Sequence, residues 1–96
     1  LALAPRSGGT YSNLALAYCY MEQYSEALPL YQKSIYLLRS NKEKAICWNR
    51  LGDAYRRLND QTSAAAAYRN AAELFPGTNT LRSRARAALL SNAAAS

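Results

Sequence analysis

A spacing of 37 residues limits what this chain can fold into more than any other feature. Leu14, Ala15, Tyr18, Ala27, Tyr31 and Ser34 recur 37 places later as Leu51, Gly52, Tyr55, Ala64, Tyr68 and Ala71, and the bulky Tyr11 is matched by Trp48. Self-similarity at one fixed offset means that a single supersecondary unit is built twice, and that each copy buries its apolar face on its neighbour.

Each unit reads as two antiparallel helices. Trp48, Leu51, Gly52 and Tyr55 stand at i, i+3, i+4 and i+7, one face of a 3.6-residue period. Ala64, Tyr68 and Ala71 repeat the spacing of four and three in the helix that follows. Between them "RRLNDQTS" carries turn and cap chemistry, with Asp60 as the expected N-cap. Gly52 then has a physical reason. Where two helices cross closely a side chain would hold the backbones apart, so a small residue stands there and the rings of Trp48, Tyr55 and Tyr68 fill the space to either side. The cost of glycine against alanine, about 1 kcal/mol, is offset by burying those rings at roughly 2 kcal/mol or more each.

Composition agrees with an all-α chain. Val is absent, and Ala, Leu and Arg dominate the 96 residues, a balance that favours helix over sheet. The length suits one architectural unit, 1–96. The start at Leu1 and the tail "SNAAAS" suggest a piece of something longer. No stretch approaches the roughly 20 apolar residues of a bilayer span, so no membrane partner is expected. With no histidine and only two cysteines, Cys19 and Cys47, the common zinc sites and the Ser-His and Cys-His nucleophile pairs cannot be assembled. No catalytic residue, no metal and no cofactor is therefore expected, and the chain reads as not an enzyme. Two cysteines are too few for a secreted disulfide framework, which makes reduced thiols and a cytoplasmic location the expectation. They should lie on the order of 13 Å apart along the helix axes, too far to bridge, and act as packing residues.

The pattern resembles the tetratricopeptide repeat (TPR), whose unit carries a bulky residue, Leu-Gly, Tyr, Ala, an aromatic, Ala and Pro. Trp48, Leu51, Gly52, Tyr55, Ala64, Tyr68, Ala71 and Pro76 fill all eight places in repeat 2, residues 45–78. Repeat 1, residues 8–44, has softer choices, with Ala15 for Gly, Ser34 for Ala and Arg39 in place of Pro. Its "SEALPLYQKSI" is similar to the second helices of kinesin-light-chain-type repeats, in which Pro29 would be a first-turn feature after a cap at Ser25, with Glu26 complementing the helix dipole. The offset exceeds the family's 34 by about three residues around "RSNKEK", which predicts a longer second helix in repeat 1, a longer first helix in repeat 2, or both. Residues 1–7 resemble the tail of a preceding repeat, and 79–96 a terminal helix and tail. The resemblance implies antiparallel hairpins stacked as a right-handed solenoid with a C-terminal capping helix.

It further implies a scaffold that holds a peptide or a helix of a partner protein in the groove lined by the first helix of each hairpin. The inward places are Asn13, Leu16 and Tyr20 in repeat 1, Asn49, Arg50, Asp53, Arg56 and Arg57 in repeat 2, and Arg84 and Ala87 on the terminal helix. Arginine forks onto carboxylates and asparagine can clamp a peptide backbone. An acidic segment or a chain terminus should suit such a groove. A blander alternative is that Asp53 and Arg57, at i and i+4, pair with each other on a solvated face for a few tenths of a kcal/mol. Members that hold the C-terminal carboxylate of chaperones use Lys, Asn, Asn, Lys and Arg over three repeats. Asn13 and Arg50 fall on two of those places, but Ile46 stands where a Lys is needed. Nucleic acid is not an expected partner, because Tyr11, Tyr18, Tyr31, Tyr55 and Tyr68 are committed to the signature and should be buried. The competing reading is structural: self-association, or stacking within a larger protein of the same repeats, with no free ligand.

Overall fold

The computed structural model describes residues 7–75 and Leu89. In chain order these form α1 (Gly8–Tyr20), α2 (Tyr24–Leu37), α3 (Asn41–Arg57) and α4 (Gln61–Leu74), with no strand among the described residues. Helix α1 packs on α2, α2 on α3, and α3 on α4, so the chain forms two consecutive helical hairpins as the repeat predicts. The expected capping helix falls in 79–96, outside the described residues apart from Leu89, which is helical and exposed.

The two hairpin turns are copies of each other. At the first, Glu22 takes the left-handed conformation (φ 60°), its N–H donates to the Cys19 carbonyl (2.9 Å), and the Gln23 N–H donates to the Tyr18 carbonyl (2.9 Å). At the second, Asn59 (φ 66°) donates to Arg56 at 3.0 Å, and Asp60 to Tyr55 at 2.9 Å. This paired bonding satisfies the last carbonyls of a helix and reverses the chain in three residues. The next helix therefore starts at once, at Tyr24 or Gln61.

That early start corrects two expectations in α2. Its N-cap is Gln23, which makes no side-chain cap bond, and Ser25 lies inside the helix. Pro29 is then the sixth helical residue, beyond the first turn, and leaves the Ser25 carbonyl without its i+4 donor. The break is tolerated because Ser25 is exposed, within reach of water. The other caps are made by side chains: Ser7 accepts from the Thr10 N–H (3.2 Å), Ser40 from Glu43 (3.3 Å), and Asp60, as expected, from Ser63 (3.2 Å).

The additional residues between the units are absorbed in α3. It has 17 residues against 13 in α1 and begins at Asn41, a turn ahead of Ala45, the counterpart of Gly8. Glu43 in its first turn and Arg56 and Arg57 in its last both complement the helix dipole.

Among the described residues Tyr31, Tyr68 and Leu51 are large, fully buried side chains; Tyr31 and Leu51 cluster with Ala15, Ala27 and Cys47, and Tyr68 with Ala64. The close crossing is at Gly52, but the geometry differs from rings lying to either side. The Tyr68 ring sits directly on the glycine, so that a Cβ there would be 2.7 Å from Cε1. Tyr11, Tyr18, Trp48 and Tyr55 are half-buried rather than buried, because each lies at the margin of a core only one hairpin thick. Tyr18, Trp48 and Tyr55 still pack against it. Tyr11 instead carries the Lys33 ammonium over its ring, 5.6 Å from the centroid.

A polar thread crosses the interior where the sequence suggested only small-residue packing. The buried Ser34 hydroxyl donates to the Gly8 carbonyl at 2.6 Å and meets the Cys47 sulfur at 3.5 Å, and that sulfur lies 3.5 Å from the Ser12 hydroxyl. It joins α1, α2 and α3, and no buried side-chain polar atom among the described residues lacks a partner. Both cysteines are free, and Cys47 is the packing residue expected of it.

Candidate functional site

Side chains facing across from α1 and α3 enclose an open concavity of about 220 Å³ whose floor is supplied by α2. Leu16 and Tyr20 reach it from α1, one helical turn apart, and Arg50, Asp53 and Arg57 from α3, at i, i+3 and i+7. The packing of the first hairpin against α3 brings the two sets together.

The remaining groove expectations divide. Asn13 lines a second, smaller concavity of about 140 Å³, beside Ser12, Glu43, Ile46 and Cys47. Asn49 is half-buried on α3. The exposed Arg56 lies 3.8 Å from the Asp53 carboxylate, so the pair on this face is i to i+3, and the Asp53–Arg57 pairing is replaced. The i+3 contact is favoured because Asp53 is also held from the other side, by the Tyr68 hydroxyl of α4, which donates to its Oδ1. Half-exposed on both sides, the ion pair contributes at most a few tenths of a kcal/mol. Arg84 and Ala87 lie outside the described residues.

Cys19, Tyr24, Tyr31 and Ala54 also line the larger concavity and were not expected there. Tyr24 could have been placed by recognising that the turn ends at Gln23. Tyr31 gives no such signal, since its spacing marks it only as core. Its hydroxyl meets the Cys19 sulfur at 4.0 Å.

Burial pushes the Cys19 thiol up, with Asp53 adding to the rise, while the bond to Tyr31 and the charge of Arg50 act against it. This direction is opposite to that of an activated thiol. Burial, followed by the nearby Cys19, also pushes the Tyr31 phenol well above the ordinary tyrosine range. Tyr31 remains a protonated donor. The concavity thus offers an apolar wall (Leu16, Tyr20, Ala54), the guanidinium groups of Arg50 and Arg57, the Asp53 carboxylate between them in sequence, and the Tyr31 phenol, and its guanidinium groups can bind a chain with carboxylates. Among the described residues, no group of three or more His, Cys, Asp or Glu could hold a metal ion, and no helix is long and apolar enough to cross a membrane.

Comparison with known proteins adds two findings. The family model described as "Tetratricopeptide repeat" matches residues 7–76. The "Hsp70-Hsp90 organizing protein" of Triticum aestivum is 37% identical over 82 residues, which is 85% of this chain but 14% of that protein.

Proposed function

Because the chain belongs to the tetratricopeptide-repeat family, we propose that it is a non-catalytic protein-interaction module that holds an extended acidic segment of a partner between α1 and α3. The observation that carries this reading is the meeting of Leu16 and Tyr20 with Arg50 and Arg57 around one open concavity. The aliphatic and aromatic wall takes apolar parts of the segment, and the guanidinium groups take carboxylates by forked hydrogen bonds. The net charge of +6 attracts such a partner from a distance. A reducing, cytosolic compartment suits the two free thiols.

The relative's name ties it to Hsp70 and Hsp90, and the chain spans too little of that protein to inherit those partners. Ile46 also argues for a different acidic segment: where chaperone-binding family members place a Lys, this side chain is half-buried beside Leu38 and Cys47.

The test uses a fluorescein-labelled decapeptide with Glu at alternate positions and its Gln counterpart, measured by anisotropy against the 96-residue chain. The Glu peptide should bind more tightly, weaken with added salt, and lose affinity in the double variant Arg50→Glu, Arg57→Glu. Equal binding of the two peptides, or a double variant that binds the Glu peptide as well as the native chain does, would refute the reading.

One observation favours stacking instead. Leu51 is 1% exposed because the first hairpin covers it, whereas its counterpart Leu14 is 46% exposed. Another repeat laid on α1 would bury Leu14 in the same way. If that is its role, light scattering will show concentration-dependent association abolished by Leu14→Glu and indifferent to the arginine variants.

A further inference from the structure

The two hairpins treat the same tyrosine differently. In the second, the Tyr68 hydroxyl is taken up by the Asp53 carboxylate. In the first, the place of Asp53 is held by Leu16 and that of Arg56 by Cys19. Tyr31 therefore has no carboxylate beside it from α1, and among the described residues its hydroxyl meets only the thiol of Cys19, at 4.0 Å. Sulfur is a poor partner whether it donates or accepts. A fully buried phenol held this weakly forgoes most of what a hydrogen bond supplies. Cys19 and Arg50 line the α1–α3 concavity, as Tyr31 itself does.

We infer that Tyr31 is a ligand-binding residue whose hydroxyl donates to the carboxylate of a partner glutamate seated in the concavity, the acceptor role that Asp53 fills for Tyr68. This rests on the α1–α3 concavity being the binding site. The two methylenes of the glutamate lie against Leu16, Tyr20 and Ala54, and its carboxylate comes between the Tyr31 hydroxyl and the Arg50 guanidinium. Without a partner the hydroxyl is closed off from solvent. Arg50, half-exposed on the wall of the same concavity, changes rotamer to admit the carboxylate, which it then binds. Leu16 is thus a specificity residue, since a carboxylate at that position would occupy the phenol from within. In the second hairpin Asp53 itself takes this place on the Tyr68 hydroxyl.

The experiment uses the Glu and Gln decapeptides with the full 96-residue chain and three variants. Tyr31→Phe removes only the oxygen and should weaken the Glu peptide roughly tenfold, with a smaller effect on the Gln peptide, so that selectivity between them falls. Leu16→Asp should abolish Glu-peptide binding. Leu16→Asn occupies the phenol without adding charge and should weaken the Glu peptide to a similar degree as Tyr31→Phe. Circular dichroism melts identify any Leu16 variant that fails to fold, and Tyr31→Phe then decides alone. The inference is overturned if Tyr31→Phe leaves Glu-peptide affinity and selectivity within twofold of the native chain. If that happens while Arg50→Glu, Arg57→Glu abolishes binding, the groove stands and only the role of Tyr31 falls. If the native chain binds neither peptide, both readings fall.

Discussion

A methyl group added at Gly52 should destabilise the chain even though it improves the helix. The added carbon would stand 2.7 Å from Tyr68 Cε1, 2.9 Å from Cδ1 and 3.0 Å from Cζ. Carbon contacts ordinarily begin at roughly 3.5 Å, so the ring must retreat by about 0.8 Å. It has little freedom to do so, being fully buried and tied through its hydroxyl to Asp53. Overpacking of this kind costs about 1–3 kcal/mol, and alanine recovers about 1 kcal/mol of helix propensity. A net loss of about 1 kcal/mol is expected for Gly52→Ala, read as a fall of about 4–8 °C in the melting midpoint. Gly52→Leu adds three more carbons to a space already filled and should unfold the unit, whose total stability is on the order of 5–15 kcal/mol. The assay is urea and thermal denaturation followed by far-UV circular dichroism. A second background isolates the cause: with Tyr68→Leu the ring is gone, and Gly52→Ala should then stabilise by about 1 kcal/mol, a reversal of sign. If Gly52→Ala raises the midpoint of the native chain, the ring does not press on the glycine and the account of this crossing is wrong.

Three further outcomes follow from the caps and the titrating groups. Glu22→Gly should raise stability by about 1 kcal/mol, because Glu22 holds a left-handed conformation (φ 60°) that glycine adopts without the side-chain penalty; a lowered urea midpoint would contradict this. Asp60→Ala should cost about 1 kcal/mol by leaving the Ser63 N–H uncapped, and an unchanged midpoint would show that water replaces the cap. The Tyr31 phenol is raised on folding, so the folded chain keeps a proton that the unfolded chain releases near pH 10. The stability linked to that proton is complete below pH 10 and is lost as the pH climbs toward the folded value. Melting midpoints should therefore fall above about pH 10, and fall less steeply in Tyr31→Phe; parallel curves for the two proteins would refute the linkage.

The hairpin fold was legible because its determinants are local. Small residues at 15, 27, 52, 64 and 71 and rings at 31 and 68 recur at helical spacing, and such spacing places them on one face whatever else the chain does. The cap at Asp60 was legible for the same reason, since it acts on an N–H three residues away. The cap assigned to Ser25 was not, because the turn bonding from Tyr18 to Gln23 ends α1 and lets α2 begin earlier than side-chain preferences suggest. Of the groove positions, Leu16, Tyr20, Arg50, Asp53 and Arg57 could be grouped from register alone, and they do line one concavity. Asn13 instead lines another concavity with Glu43 and Ile46 of α3, a neighbourhood that register within α1 does not specify.

By itself, then, the sequence determined that two helical hairpins would form and which faces they would turn toward each other, because periodicity is carried by neighbours along one helix. Only the tertiary structure decided what each polar side chain meets: Asp53 with Arg56 and Tyr68, Tyr31 with Cys19, and Ser34 with Gly8 and Cys47. Hydrogen bonds act over about 3 Å, and apart from Asp53–Arg56 these pairs join residues at least 12 places apart. Spacing along one helix leaves such contacts open, so the packing of one helix against the next selects them.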